Sequence, residues 1–287
     1  MPAFLDTQHL LAFALSVARL WAWLAVLVVI FVPLEHFFAL RRQKFFRKSL
    51  GQDLGFYFIS GLVPGLLLAV PLSLAAYGAH ALVPYSVRTA VAAWPLWLHL
   101  VAGVVIGEIG FYWGHRLTHE IPFLWRFHSI HHNAEHVYFL TSSRAHPIDS
   151  VFTRLCGLVP IYVLGVANPL TPTGSLVPTL IMVMSVVWGF FIHANLRLRL
   201  GPLEWLIATP GFHHWHHTLS DHRDHNYAPM LPCIDLLFGT LYLPARQWPA
   251  AYGIETSLPH SLGGQLLYPL RAEPEVAELP EPVAADR

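Results

Sequence analysis

The residues in this sequence that could do chemistry are histidines, and they recur in three closely spaced groups. The first group is His115-x-x-x-His119, and the other two share the spacing His-x-x-His-His. Imidazoles three or four residues apart lie on one face of a helix, so each group can direct several ring nitrogens at one point. The eight histidines of these groups are His115, His119, His128, His131, His132, His213, His216 and His217.

This density of imidazoles is typical of metal binding. Adjacent imidazoles without a metal repel one another when protonated and need many separate partners when neutral. A structural zinc ion takes four protein ligands and a catalytic one takes three, so eight histidines predict two ions. Imidazole suits iron, zinc, copper and nickel, so the ligand type leaves the metal open. A bis-histidine haem would instead need one histidine from each of two spans.

The composition predicts that these groups are held by an integral membrane protein. Hydrophobic residues make up 55% of the 287 residues, charged residues only 12%, and the mean hydropathy is +0.49. Soluble domains average about 25% charged residues. The 17 basic and 17 acidic residues balance, so the charge gives no indication of nucleic-acid binding. Two cysteines are too few for a disulfide scaffold or a thiolate metal site, and we expect neither to do chemistry.

Apolar runs long enough to enter a bilayer cover residues 10–34, 54–83, 91–113, 151–166 and 176–192. Basic residues concentrate at 41–48, which predicts a cytoplasmic loop and an N-terminus on the outer side. The last two runs flank Pro169, Pro172 and Gly174, which predicts a hairpin that enters and leaves on one side. All three histidine groups then lie on the cytoplasmic face. We therefore expect an all-α, multi-span bundle with a cytoplasmic helical cap that carries a histidine-rich two-metal site.

We divide the chain into N-terminal membrane spans at 1–90, a catalytic region with the membrane hairpin at 91–245, and a C-terminal extension at 246–287. The end of the extension, from residue 271 onward, is acidic and rich in proline, which predicts disorder.

Other polar residues near the groups are candidates for supporting roles. His193, where the last apolar run ends, is a candidate ninth ligand. Glu108 lies on one helical stripe with His115 and His119, and a buried acid needs a partner, so we expect it to orient a histidine. His146, Asn195 and Asp235 are weaker candidates for the same task. The roles of His136, His214, His222 and His225 stay open, because these residues do not follow the repeated spacing.

Residues 108–242 resemble the fatty acid hydroxylase and sterol desaturase superfamily of integral membrane non-haem di-iron oxygenases, in its bacterial form. The resemblance is carried by YWGHRLTH at 112–119, LWRFHSIHH at 124–132, PGFHHWHH at 210–217, DHNY at 224–227 and DLLFGT at 235–240. It implies that the eight grouped histidines ligate two irons, with His193 as a further ligand, and that O2 is the co-substrate. Ile234 and His225 depart from residues common in the family, at positions peripheral to the metals.

The resemblance implies an enzyme that hydroxylates or desaturates a C–H bond of a lipid, such as a fatty acyl chain or a sterol. The chain shows no flavin or dinucleotide motif, so electrons are expected from a separate donor protein or a small reductant. Likeness to the alkylglycerol monooxygenases at Arg116, His119 and Glu120 makes a pterin one candidate. The alternative is a zinc-dependent membrane hydrolase or isomerase, which would need fewer histidines and usually a carboxylate base. The lipid, the position oxidised and the oligomeric state stay open.

Overall fold

Four long apolar helices dominate a computed structural model of the chain, which describes residues 7–167 and 176–271. They are α1 (Thr7–Phe37), α2 (Leu50–Leu82), α4 (Leu96–Glu120) and α7 (Leu176–His193), and each is long and apolar enough to cross a membrane. Much of their apolar surface is exposed, as expected for helices that contact lipid. The described residues form no β-strand, so the all-α prediction is confirmed. The four long apolar helices indicate an integral membrane protein.

Short helices gather at one end of this bundle. The helices α5 (Pro122–His132), α8 (Pro210–His216) and α9 (Pro232–Leu237) form a cap, and α6 (Pro147–Val163) runs from the cap back into the bundle. Each of these four helices begins with proline, which fits the first turn because that position has no helical partner for an N–H group. Two further short helices, α3 (Tyr85–Ala92) and α10 (Leu262–Leu267), complete the α-helices of the described residues.

Glycines bring α4 and α6 into close contact. A Cβ atom on Gly110 would collide with the carbonyl oxygen of Cys156, and one on Gly114 would lie 2.7 Å from the Cys156 Cβ. Small residues of this kind let membrane helices approach closely. The contact places the part of α4 that carries His115 beside the middle of α6. Both cysteines are free thiols.

The predicted hairpin is described only in part. Its two arms are α6, with 17 residues, and α7, with 18, and α7 alone of the two meets the length of a membrane span. The turn at Pro169, Pro172 and Gly174 lies outside the described residues, as does the C-terminal end from 272 to 287. The division of the chain at residues 90 and 245 stays a prediction.

Buried polar groups fasten the first two helices to the cap. Asp53 of α2 pairs with the Arg144 guanidinium at 3.0 Å and accepts a hydrogen bond from the Tyr138 hydroxyl at 2.8 Å. Glu35, near the end of α1, accepts backbone N–H bonds from Phe139 and Asn195 at 2.8 and 2.9 Å. Breaking a buried ion pair costs about 3–5 kcal/mol, so the Asp53–Arg144 pair holds α2 firmly against the segment between α5 and α6.

Candidate metal centre

The structure gathers nine histidines into two adjacent clusters. Within each cluster one ring nitrogen from every histidine lies within 4.8 Å of the others. We call the two groups the five-histidine cluster and the four-histidine cluster. The first contains His115, His119, His128, His132 and His216, and the second contains His131, His193, His213 and His217. These are the nine residues that the sequence singled out, including His193.

The repeated spacing divides its histidines between the clusters. On α5, His128 and His132 point to the five-histidine cluster, whereas the intervening His131 belongs to the other. At α8 the pattern is reversed, since His213 and His217 join the four-histidine cluster and His216 joins the five-histidine cluster. Each of these helical segments therefore builds both sites.

Protein acceptors fix the orientation of six of the nine rings. In each case Nδ1 meets an oxygen of the protein, which leaves Nε2 directed into a cluster. The Nδ1 acceptors are the Tyr227 carbonyl for His115 (2.7 Å), Asp224 for His119 (2.9 Å), Asp149 for His128 (3.1 Å), the Arg144 carbonyl for His131 (3.1 Å), the Gly189 carbonyl for His193 (2.6 Å) and the His225 carbonyl for His216 (2.8 Å).

This orientation places nitrogen lone pairs against one another. A carbonyl oxygen only accepts, so Nδ1 of His115, His131, His193 and His216 must carry the proton, and a neutral ring then has a bare lone pair on Nε2. Yet Nε2 of His115 lies 2.9 Å from Nε2 of His216, and those of His131 and His193 are 3.2 Å apart. Two lone pairs at this distance repel unless a cation lies between them. The donor set therefore fits metal ions.

Burial keeps the rings in the neutral form that binds metal. It lowers the pKa of His131, His132, His213, His216 and His217 well below the ordinary value of 6.5, and neighbouring imidazoles lower it further. Among the described residues, Nε2 of His119, which faces the five-histidine cluster, is buried without a hydrogen-bond partner. Buried polar atoms of this kind are rare, and a bound metal would satisfy this one.

Among the described residues, Glu108 contacts backbone amides rather than a histidine, which differs from the prediction. Its Oε2 accepts the backbone N–H groups of Met230 and Leu231 at 2.9 and 3.1 Å. The carboxylate thus satisfies amides at the start of α9 and ties that loop to α4. Its burial on the stripe with His115 was predicted correctly, but the partner is backbone.

The three weaker candidates support the site at a distance. His146 caps α6, since its Nδ1 accepts the Ile148 N–H at 3.1 Å. Asn195 bridges to the loop after α1 through hydrogen bonds with Arg41. Asp235 accepts the N–H groups of Tyr227 and Ala228 at 2.8 and 2.9 Å, and the Tyr227 carbonyl in turn accepts from a histidine of the five-histidine cluster. None of the three touches a clustered ring.

Asp149 is the supporting residue that the sequence prediction missed. Both of its carboxylate oxygens lie 3.1 Å from Nδ1 of His128, and both residues are buried. A carboxylate on the outer nitrogen of a metal ligand raises the basicity of the ring and fixes its tautomer. In the sequence, Asp149 stands directly before the apolar run at 151–166, where an unpaired charge is costly. This position could have indicated that Asp149 has a buried partner. The sequence indicated no role for Asp224, which contacts His119, beyond its place in the motif at 224–227.

The histidines left open lie outside both clusters. His214 is fully buried, but its Nε2 donates to the Ala194 carbonyl and its Nδ1 accepts from the Tyr252 hydroxyl. Burial lowers its pKa to about 3, and neither nitrogen is free for a metal. His222 stacks on Tyr242 with ring centroids 3.8 Å apart. His136 is exposed, and His225 contributes a carbonyl rather than its ring.

A cavity of about 530 Å³ leads from the membrane helices to the clusters. Its walls come from α1, α2, α4, α6 and α7, and most of the lining is apolar, including Leu20, Trp23 and Leu27 of α1. At the other end it is lined by members of both clusters, namely His115, His128, His131, His193 and His213. An apolar molecule in this cavity would lie directly against the histidines.

Buried histidine clusters at the capped end of a helical bundle place the chain among the histidine-rich metalloproteins of membranes. Residues 100–240 match the family model for fatty acid hydroxylase, so this part of the chain is similar to a fatty acid hydroxylase domain. The resemblance drawn from the motifs is thus confirmed. No solved structure is significantly similar to the chain.

Curated relatives carry the names of lipid-modifying enzymes. Ornithine lipid hydroxylase OlsE of Rhizobium tropici is 34% identical over 177 residues, which are 61% of this chain and 51% of that protein. Alkylglycerol monooxygenase of Xenopus tropicalis is 32% identical over 159 residues, 54% of this chain and 32% of the relative. Methylsterol monooxygenase 2-2 of Arabidopsis thaliana is 29% identical over 152 residues, 51% and 54% of the two chains. The match thus spans about half the length of these relatives or less.

Proposed function

We propose that the protein is a di-iron oxygenase that hydroxylates or desaturates a C–H bond of a membrane lipid with O2 and an external reductant. The observation that carries this proposal is the apolar cavity, which is walled by membrane helices and ends on both histidine clusters. Hydrocarbon is the chemistry such a cavity selects. The names of the relatives, two monooxygenases and a lipid hydroxylase, support the same class of reaction.

In this proposal the nine clustered histidines hold two irons, one in each cluster. The irons, when bound, supply O2 activation and the oxidant for C–H cleavage. The side chains of the protein position the metals and the lipid. The acceptors on Nδ1 keep Nε2 aimed inward, the buried setting keeps the rings neutral, and the cavity binds the lipid chain and excludes water.

The reductant comes from outside the domain. A separate electron-transfer protein or a small reductant such as a pterin would serve. Support for the pterin comes from the motif likeness at Arg116 and Glu120, which form an ion pair of 2.7 Å near the end of α4, beside His119. Anaerobic reduction of the iron-loaded protein by a tetrahydropterin, followed spectroscopically, tests this choice. Reduction only by an added electron-transfer protein would contradict it.

We further propose that the histidine clusters face the cytoplasm and that the N-terminus of α1 lies outside. Support comes from the basic loop at 41–48, which lies at the same end of the bundle as the clusters. Asn195, two residues after His193, accepts the Arg41 N–H at 3.1 Å, and the Arg47 guanidinium lies 3.9 Å from the centroid of the Tyr138 ring. Basic loops remain on the cytoplasmic side of a membrane. Labelling of single cysteines introduced in this loop, with a reagent that does not cross the membrane, tests the orientation.

Lipid mass spectrometry of cells that express wild-type protein or His131→Ala tests the reaction. A lipid that gains one oxygen indicates a hydroxylase, and one that loses two hydrogens indicates a desaturase. His136→Ala is the matched control, because His136 is exposed and outside both clusters. Metal analysis of purified wild type should find two irons per chain. Zinc together with oxygen-independent activity would favour a hydrolase, and no oxygen-dependent change in any lipid would refute the proposal.

A further inference from the structure

Arg154 brings a cation into the wall of the apolar cavity. It lies on α6, whose cavity-lining face also includes Asp149, Ser150, Thr153 and Gly157. Most of the remaining lining is apolar, including Leu27 of α1, and its second acid, Glu108 of α4, accepts backbone N–H groups. A guanidinium keeps its charge under all ordinary conditions and has five N–H donors. Such a group is costly in apolar surroundings unless an anion or several acceptors meet it.

No such partner for Arg154 occurs in the described ranges 7–167 and 176–271. There, its side chain makes no ion pair, hydrogen bond or stacking contact with an aromatic ring. Two other arginines of the fold show the contrast. Arg144 pairs with Asp53 at 3.0 Å and Arg199 with Glu204 at 2.9 Å. The structure therefore supplies an anion for these arginines but not for Arg154.

The position of Arg154 relates it to the histidines. Asp149, at the start of α6, contacts His128 of the five-histidine cluster. Arg154 follows five residues later, which is about 7.5 Å along a helix axis. The cation and both clusters thus border the same cavity. A molecule that fills the cavity can touch the guanidinium with one group while its hydrocarbon lies against the histidines.

We propose that Arg154 binds the oxyanion of the lipid substrate, a carboxylate or a phosphate, and so selects acidic lipids. Guanidinium recognises both groups through paired N–H bonds, and in a cavity of low polarity such bonds are stronger than in water. Anchoring one end of the substrate also determines which carbon faces the clusters. This inference rests on the proposed function only in taking the occupant of the cavity to be the substrate.

Binding can be measured without turnover. The full-length, iron-loaded protein in detergent, without reductant or O2, is titrated with oleate, 1-oleoyl-lysophosphatidate or oleyl alcohol. Trp23 lines the cavity, so its fluorescence is a suitable readout. Wild type should bind at least one of the two acids more tightly than the alcohol. The acid that responds shows whether the oxyanion is a carboxylate or a phosphate.

Variants assign the preference to Arg154. Arg154→Gln should weaken binding of the preferred acid by about tenfold to a hundredfold and leave the alcohol unchanged, since hydrogen bonds to charged groups contribute about 1.5–3 kcal/mol. Arg154→Lys, which keeps the charge, should recover part of the loss. Arg19→Gln is the matched control, because it removes a charge from an exposed position on α1. Its binding should equal that of wild type.

Equal binding of all three lipids by wild type would overturn the inference, as would an Arg154→Gln variant that loses affinity for all three alike. The second result would mean that Arg154 only supports packing. Because these titrations involve no oxidation, they can succeed even if no lipid is oxidised, which would refute the proposed function alone. Conversely, if Arg154→Gln oxidises lipids with the wild-type preference for acids, the inference fails and the oxygenase proposal stands.

Discussion

Asp149→Asn should weaken metal binding at the five-histidine cluster and spare the four-histidine cluster. Each Asp149 oxygen lies 3.1 Å from Nδ1 of His128, and this aspartate is the one buried carboxylate in contact with a clustered ring among the described residues. Asparagine keeps the shape but loses the charge and one acceptor. Loss of such a partner typically costs about 10- to 100-fold in metal affinity, or about 1.4–2.7 kcal/mol.

The assay is iron retention during titration with a chelator, followed by metal analysis of the protein. Wild type and Asp149→Asn are compared with Asp221→Asn, which changes an exposed aspartate of the cap. In Asp149→Asn one iron should leave at about a tenth to a hundredth of the chelator activity needed for wild type, and the second iron should follow the wild-type curve. A variant that retains both irons like wild type, or that loses both together, would refute the reasoning.

Two predictions concern the scaffold around the site. Gly110→Ala places a methyl group against the Cys156 carbonyl and should lower the stability of the protein by about 1–3 kcal/mol. Gly65→Ala, at a position with open space around it, should not lower stability. Thermal melting of the two variants in detergent compares them, and equal melting temperatures would contradict the packing of α4 against α6. Burial lowers the pKa of His146, which caps α6 through an acceptor nitrogen that must be unprotonated. Because the folded pKa lies below the unfolded value of about 6.5, the contribution of the cap, about 1 kcal/mol, is present above that pH and is lost as the pH falls through the folded pKa. His146→Asn cannot titrate and should lose less stability than wild type on acidification; identical pH profiles would show that the cap is not the titrating group.

Much of the fold and the site could be predicted from local sequence patterns. The long apolar runs predicted the helices that form α1, α2, α4 and α7, because span length depends only on hydropathy and helical rise. The histidine spacing predicted shared helix faces, and the structure brings all nine predicted residues together. His193 was found from its position at the end of an apolar run.

Interactions between distant residues could not be predicted in the same way. Asp149 and His128 are 21 residues apart, and only the packing of α6 beside α5 brings them together. In both His-x-x-His-His motifs the first and last histidines share a cluster and the middle one joins the other, but which cluster each pair joins depends on how the helices pack. Glu108 was correctly expected to be buried, yet its partners are backbone amides that a sequence pattern does not reveal. The sequence likewise gives no indication that Arg154 lines a cavity.

The division of the His-x-x-His-His motif at α8 between the clusters also determines when the proposed metal centre can form during synthesis. The five-histidine cluster waits for His216, and the four-histidine cluster waits for His213 and His217, so neither is complete until α8 has left the ribosome. Both clusters then close within a few residues of each other. The nascent chain, which carries its first clustered histidines from residue 115 onward, therefore holds no complete cluster until most of the membrane helices have been made.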